Sequence, residues 1–247
     1  MYHDIRTLNA NQLLALDPRE VTRIFTPQEI LHIFYALDGF WSYDYEAVGL
    51  ARVGFHAKLN SGNCSDGFFF AEIVLRHPNL RMILAKQMAW RFLERGIPKP
   101  DYVIGIPNGA KKLGEDFGNL LDIPLAEMVK EDGKLRLVTK LGEYKRLLFV
   151  EDLCTRGTRF IEAGGVVLDA EPTTIIIPEE EVILNRGGLK CIEARGVSCH
   201  INAAVVHRIN DWAPGPDTCP LCKLGSTPMK PKESDESWRI ITTAQAA

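Results

Sequence analysis

The sequence lacks a long hydrophobic run, a strong excess of either charge, and a dense set of cysteines. Its 29 Lys and Arg residues nearly balance 32 Asp and Glu, for a formal net charge of −3, and no overall basic surface for nucleic acid is expected. No run of about 18 apolar residues occurs, so we expect no membrane-spanning segment. The first 20 residues have no basic region followed by an apolar core, which predicts a cytoplasmic protein without a secretory signal. Six cysteines, mostly far apart in 247 residues, predict free thiols in a reducing compartment.

Apolar and amphipathic stretches alternate along the rest of the chain. Helices are predicted over 9–38, where Thr26, Pro27 and Glu29 form a helix start, and over 79–95. Strands are predicted in DYVIGIP, IPLAEMV, KRLLFVED, TTIIIP and HINAAVVHR, with helices after the first and third. This alternation predicts an α/β fold with a mostly parallel central sheet flanked by helices. Since ligands bind beyond the carboxyl ends of such strands, one rim of the sheet should carry PNGAKK, VKEDGK, EDLCTRGT and HRIND.

The stretch LLFVEDLCTRGTRF, residues 147–160, ends an apolar strand on two acids and continues in a polar loop. Backbone amides, hydroxyls and cations at a helix N-terminus bind phosphate, and here the candidates are Thr155, Arg156, Gly157, Thr158 and Arg159. Glu151 and Asp152 would repel a phosphate, so they indicate a second ligand group: a vicinal diol, or Mg²⁺ bridging diol and phosphates. A ribose 5-phosphate satisfies both halves of the motif. The alternative is an acid pair that only caps the next helix.

Five segments, in order from about residue 54 to 231, resemble the orotate phosphoribosyltransferases, a family of type I phosphoribosyltransferases. They are GFHAKLNSGNCSDGFFF, KPDYVIGIPNGAKKLGEDFGNLLDIPLAEM, VKEDGKLRLV, the 147–160 stretch, and DTCPLCKLGSTPMKPK, which resembles a tail in one branch of the family. The resemblance implies an N-terminal helical hood at 1–75, a phosphoribosyltransferase core at 76–213 and an irregular tail with a Cys-x-x-Cys motif at 214–247. It also implies a homodimer that uses Mg²⁺ to transfer ribose 5-phosphate from phosphoribosyl pyrophosphate to orotate.

The resemblance also assigns roles to individual residues. Catalysis by neutralising the leaving pyrophosphate needs cations, and Lys130 and Lys134 of a mobile loop would supply them, with Asp152 on the sugar. The alternative for the two lysines is a solvated charged hairpin. Amides of Asn108, Gly109 and Ala110 would hold the pyrophosphate. The base and ribose would meet Lys58 and Ser61, and the base carboxylate would meet Arg208.

Departures from the family pattern leave the base open. His207 stands where the family has an acid, Lys111 and Lys112 stand where it has glycine and apolar residues, and 170–203 is longer, with IIIPEEEVILNRGG read as a hairpin insertion. A transferase for another base, or a non-catalytic regulator that binds phosphoribosyl pyrophosphate, therefore remain alternatives. Cys219 and Cys222 have the spacing of half a zinc site, whose other half would come from Cys191, Cys199 or His200.

Overall fold

A computed structural model describes residues 4–245 of the chain. The α-helices are α1 (Ala10–Leu14), α2 (Pro27–Ala36), α3 (Tyr45–Gly49), α4 (Ala71–Leu75), α5 (Pro78–Glu94), α6 (Lys111–Leu121), α7 (Thr158–Ala170), α8 (Pro220–Lys223) and α9 (Asp235–Thr243). The strands are β1 (Phe40–Ser42), β2 (Phe55–Lys58), β3 (Cys64–Ser65), β4 (Gly67–Phe69), β5 (Tyr102–Gly105), β6 (Met128–Glu131), β7 (Lys134–Leu137), β8 (Arg146–Cys154), β9 (Ile175–Asn185), β10 (Cys191–Ala194), β11 (Val197–Val206), β12 (Asp211–Trp212) and β13 (Thr227–Met229). No helix among these residues is both long and apolar enough to cross a membrane.

The chain forms two compact units, each built from separate stretches of sequence. The first unit is Met1–Ile33 with Val74–Arg208, and the second is Phe34–Ile73 with Ile209–Ala247. These bounds differ from the expected hood, core and tail at 1–75, 76–213 and 214–247. The tail at 214–247 is not irregular, because it contains the helices α8 and α9 and the strand β13, which pairs in parallel with β2. The second unit therefore unites the two segments that the sequence analysis separated.

A five-stranded sheet in the order β10-β11-β9-β8-β5 forms the centre of the first unit. The pairs β5·β8, β8·β9 and β9·β11 are parallel, and only the edge strand β10 runs antiparallel to its neighbour. Apolar side chains of β8 and α7 meet in its core, where the rings of Phe149 and Phe160 contact edge to face at 5.3 Å. The predicted mostly parallel sheet flanked by helices is confirmed.

The predicted hairpin insertion within 170–203 is wrong. Strand β9 runs through IIIPEEEVILN as one parallel strand beside β8, and the hairpin is formed instead by β10 and β11. Two of the acids that suggested a turn are accommodated by polar partners: Glu181 pairs with Arg95 of the α5 C-terminus, and Glu179 accepts from Asn202 of β11. A strand can bury such acids when its neighbours offer donors.

Glu181 predicts a pH dependence of stability. Burial raises its pKa to about 7, against the opposing pull of Arg95. Because the folded-state value exceeds the ordinary 4.5, stability is greatest at low pH and falls as the pH rises through about 7. We expect the melting temperature to fall by about 4–8 °C between about pH 5 and 8, and to fall less in Glu181→Gln. Differential scanning fluorimetry checks this, with Glu162→Gln, at an exposed glutamate of α7, as the control. Equal slopes in wild type and Glu181→Gln would contradict it.

The predicted start of α2 is confirmed in detail. The hydroxyl of Thr26 accepts from the backbone N–H of Glu29 at 3.2 Å, and the Glu29 carboxylate accepts from the backbone N–H of Thr26 at 2.9 Å. This reciprocal capping satisfies two amides that the helix leaves open.

The second unit contains two small sheets, β1-β4 and β12-β3-β2-β13, whose strands are two to four residues long. Its core combines aromatic and sulfur-containing side chains: Trp41, Tyr43, Cys64, Cys219 and Trp238.

Candidate functional site

The turn between β8 and α7 has the features of an anion site at a helix N-terminus. Helix α7 begins at Thr158, and its N-cap residue is Gly157, which makes no side-chain capping bond. The first-turn amides are therefore left for a ligand. Gly157 has φ +65°, and a Cβ there would lie 2.1 Å from Cδ1 of Ile192, so only glycine fits. Thr158 and Arg159 are exposed at this end of the helix.

Asp152 is buried at the end of β8, with its side chain directed toward the β5–α6 loop (residues 106–110). Its Oδ1 atom has no hydrogen-bond partner, and the nearest cation is the Arg159 guanidinium at 3.6 Å. A Cβ on Gly109 would lie only 2.4 Å from Asp152 Oδ2. The predicted acid and a predicted amide of the pyrophosphate loop are thus neighbours.

The β5–α6 loop presents Asn108 and Gly109 to solvent, while Ala110 is buried as the N-cap of α6. Close packing of β5 on α6 holds this loop, because a Cβ on Gly114 would lie 2.6 Å from Gly105 Cα. Lys111, at the first position of α6, forms an ion pair with Glu127 at 2.8 Å, which raises the pKa of Lys111. Lys112 is exposed.

Glu151 differs from its neighbour Asp152. It is 2% exposed and faces Glu180 of β9 and Cys154, with the ligand atoms of all three within 4.8 Å of one another. Burial, and next the neighbouring Glu180, hold the pKa of Glu151 well above its usual range; burial also raises the pKa of Glu180 and raises that of Cys154 to about 12. Asp152 is therefore better placed than Glu151 for the expected contact with a diol, and that contact stays a prediction.

Lys130 and Lys134 lie on the exposed hairpin of β6 and β7, which face each other across a two-residue turn of Asp132 and Gly133. Both turn residues have positive φ, as in a tight hairpin. Lys130 pairs with Leu135 and Lys134 with Glu131 in the strand register. The charged hairpin that was the alternative interpretation of the two lysines is present. Its role as a lid, a mobile loop that closes over the substrate, stays a prediction.

Arg208 does not follow a strand that pairs with β8. It follows β11, and its side chain packs on Gly188 and lines a cavity of about 340 Å³ together with Arg95, Glu179, Lys190, His200 and Asn202. The lining of this cavity contains neither acid of β8 and no residue of 155–159.

Arg186 is a candidate that the sequence analysis missed. It is buried directly after β9, and its backbone N–H donates to Cys154 O at 2.9 Å. A Cβ on the next residue, Gly187, would lie 1.8 Å from Thr155 O, so this segment packs on the β8–α7 turn. The signal was present as an Asn-Arg-Gly-Gly sequence after an apolar run, but the mistaken hairpin concealed it.

The residues predicted to meet the base and ribose, Lys58 and Ser61, belong to the second unit. Lys58 ends β2 and Ser61 lies in the turn to β3; both are exposed. Their contact with base and ribose stays a prediction.

The proposed partners of the Cys-x-x-Cys pair are wrong. Cys191, Cys199 and His200 lie on β10 and β11 of the first unit. Within the second unit, Cys219 and Cys222 are instead met by His56 and Cys64.

The residues at the β8 end fit a magnesium–phosphosugar ligand. Asp152 Oδ1 is a buried carboxylate oxygen lacking a hydrogen-bond donor, the type of atom that receives a sugar hydroxyl or a metal-bound water. Glu151 also lies 3.6 Å from the Arg159 guanidinium, as Asp152 does. Because it is buried against Glu180, it would act on the metal only indirectly.

The sequence of the chain is similar to those of several orotate phosphoribosyltransferases. It is 29% identical over 178 residues to an orotate phosphoribosyltransferase of Caldicellulosiruptor saccharolyticus, covering 71% of this chain and 87% of that protein. It is 27% identical over 183 residues to the orotate phosphoribosyltransferase of Pelotomaculum thermopropionicum, covering 73% and 90%. The solved orotate phosphoribosyltransferase of Francisella tularensis matches with a TM-score of 0.50 at 16% identity, covering 74% of this chain and 85% of that one. No protein-family model matches. The resemblance found in the sequence and the expected fold class are confirmed; the branch suggested by the Cys-Pro-Leu-Cys tail stays a prediction.

Proposed function

We infer that the chain, whose sequence relatives are orotate phosphoribosyltransferases and whose fold is that of the type I phosphoribosyltransferases, is a pentosyltransferase. The reaction we propose joins orotate to the ribose 5-phosphate of phosphoribosyl pyrophosphate, giving orotidine 5′-monophosphate and pyrophosphate. The observation that carries this proposal is the approach of Gly109 to Asp152 beside the open first turn of α7. The residues proposed for the sugar hydroxyls, the pyrophosphate and the 5-phosphate are therefore close enough to bind one substrate.

The residues divide the work according to charge. First-turn amides of α7 with Thr155 and Thr158 hold the 5-phosphate, and Asp152 accepts from the ribose hydroxyls. Amides of the β5–α6 loop hold the pyrophosphate. Magnesium, when bound, neutralises the phosphate oxygens. The attacking base is already an anion, so that the chain chiefly positions the substrates and offsets charge on the leaving group.

An arginine next to β8 suits a carboxylated base. Arg186 follows the strand that pairs with β8, whereas Arg208 follows the next strand along. A guanidinium binds a carboxylate through two parallel hydrogen bonds. We therefore propose that Arg186 binds the orotate carboxylate. Arg208, to which the sequence analysis assigned this role, is the alternative. Comparing Arg186→Gln with Arg208→Gln tests the choice. Substitution of the arginine that binds the base should raise KM for orotate and leave KM for phosphoribosyl pyrophosphate nearly unchanged.

Turnover with a panel of bases tests the function. The full chain, Mg²⁺ and phosphoribosyl pyrophosphate are mixed with orotate, uracil or adenine, and pyrophosphate release is followed together with the loss of orotate absorbance. Release with orotate alone is the expected result. Release only with another base would replace orotate, an alternative that His207 before Arg208 favours. Calorimetric binding of phosphoribosyl pyrophosphate without any turnover would instead indicate a regulator.

Lys130 is expected to act on the leaving group. Lys130→Ala should lower kcat about 10- to 100-fold with a smaller change in KM, because the charge is needed most in the transition state. Lys134→Ala should have a weaker effect, and Lys140→Ala, at an exposed lysine outside the hairpin, serves as the control. Equal kcat values for Lys130→Ala and the control would remove the lid from the account.

A homodimer is proposed as well, and light scattering coupled to gel filtration measures it.

A further inference from the structure

The second unit buries three cysteines and a histidine in one cluster. His56 lies on β2 and Cys64 on β3, while Cys219 is the N-cap of the short helix α8 and Cys222 lies within that helix. The four ligand atoms all lie within 4.8 Å of one another, and three of the four side chains are fully buried. We propose that the second unit holds a structural zinc ion with four ligands: His56, Cys64, Cys219 and Cys222.

Three of the six distances between the ligand atoms are close to the edges of a zinc tetrahedron. Bonds of about 2.3 Å to sulfur and about 2.0–2.1 Å to nitrogen place two sulfurs about 3.8 Å apart, and sulfur and nitrogen about 3.6 Å apart. Cys64 Sγ and Cys222 Sγ are separated by 3.8 Å. His56 Nε2 lies 3.6 Å from Cys222 Sγ and 3.9 Å from Cys219 Sγ. A disulfide requires about 2.05 Å between sulfurs, so these are separate thiol groups.

Neighbouring groups prepare the ligands for a metal. His56 Nδ1 lies 2.9 Å from the hydroxyl of Ser226, which in turn donates to Gly54 O at 3.2 Å. Since that hydroxyl gives its proton to Gly54, it accepts one from Nδ1, which leaves the lone pair of Nε2 directed at the sulfurs. The backbone N–H of Cys222 donates to Cys219 Sγ at 3.4 Å, as expected for a thiolate in a Cys-x-x-Cys turn. Both contacts hold the ligand side chains in place around the centre of the cluster.

The place of the cluster explains why this unit would need a metal. Its four-stranded sheet is built from strands of two to four residues, and it joins two segments far apart in the sequence. His56 and Cys64 belong to the first segment, and Cys219 and Cys222 belong to the second. Small sheets of this kind lack the buried area to hold together firmly and are often stabilised by a metal. The zinc ion would cross-link the two segments of the unit.

Metal analysis of the full chain tests the proposal directly. Protein expressed with zinc in the medium and purified without chelators or a histidine tag should contain about one zinc per chain by plasma mass spectrometry. Cys222→Ser should lower the zinc content at least about 5-fold and the melting temperature by about 5–10 °C. Cys191→Ser is the matched control, because that cysteine is exposed and lies in the first unit, and it should keep the full zinc content.

A second measurement on the wild-type chain covers the case in which the variant does not fold. A mercurial that blocks thiols should release the zinc, detected by a coloured zinc chelator, and cobalt-loaded protein should show the visible bands of tetrahedral thiolate coordination. Zinc near background, or zinc retained in a folded Cys222→Ser variant, would overturn the proposal. So would the presence of a disulfide, seen as four rather than six titratable thiols after denaturation without reductant. None of these readouts depends on turnover, so they are independent of the proposed reaction.

Discussion

Asp152→Asn is expected to lower kcat/KM for phosphoribosyl pyrophosphate about 100- to 1,000-fold, with the melting temperature changed by only a few degrees. The amide keeps the size of the side chain, but it loses the charge and turns one acceptor into a donor, where the ribose hydroxyls also donate. The Oδ1 atom of Asp152 has no hydrogen-bond partner in the described residues, so its present structural contribution to the fold is small. Steady-state kinetics with both substrates varied measures the effect.

Two matched variants make this result specific. Asp169→Asn removes an exposed carboxylate of α7 that pairs with Arg195 on the surface, and it should change kcat/KM by less than about two-fold. Glu151→Gln should cost less than Asp152→Asn, because Glu151 faces Glu180 and its pKa is already raised by burial. Equal losses for the two acids would show that both hold the sugar, and no loss at Asp152 would remove the acid pair from the site.

Gly109→Ala is expected to reduce kcat/KM about 10- to 100-fold, mainly through weaker binding of phosphoribosyl pyrophosphate. The added Cβ would lie 2.4 Å from Asp152 Oδ2 and 2.8 Å from its Cγ, closer than atoms approach without a shift. Either the loop or the acid must move, and the proposed function assigns both to the same substrate. Isothermal titration with phosphoribosyl pyrophosphate and Mg²⁺, beside the kinetics, separates binding from turnover.

Gly49→Ala is the control for this substitution. A Cβ at Gly49 has no atom within 4 Å, and the backbone there needs no glycine. It should leave binding and turnover unchanged. Wild-type affinity in Gly109→Ala would mean that the β5–α6 loop does not hold the pyrophosphate.

Features governed by local sequence could be predicted, and those governed by distant partners could not. The capping pair of Thr26 and Glu29, the strand β8 and the start of α7 depend on residues a few positions apart. Only the start of β9 was predicted, in TTIIIP, because its three consecutive glutamates do not indicate a buried strand until their partners are known. Arg95 is 86 positions from Glu181, and no local pattern connects them.

The same limit applies to the candidate sites. The phosphate-binding residues of 155–159 could be predicted because they all belong to one turn. The different surroundings of Glu151 and Asp152 depend on Glu180 and Gly109, which are distant in the sequence. The spacing of Cys219 and Cys222 predicted half of a metal site. The other half could not be predicted, because His56 is 166 positions from Cys222. The pairing of β13 with β2, and of β12 with β3, brings these segments together.

A crystal structure with phosphoribosyl pyrophosphate and Mg²⁺ tests the central claim most directly. The account predicts the 5-phosphate on the backbone amides at the start of α7 and a ribose hydroxyl within hydrogen-bonding distance of Asp152. Ligand density in the cavity lined by Arg208 and Lys190, with the turn after β8 empty, would contradict it.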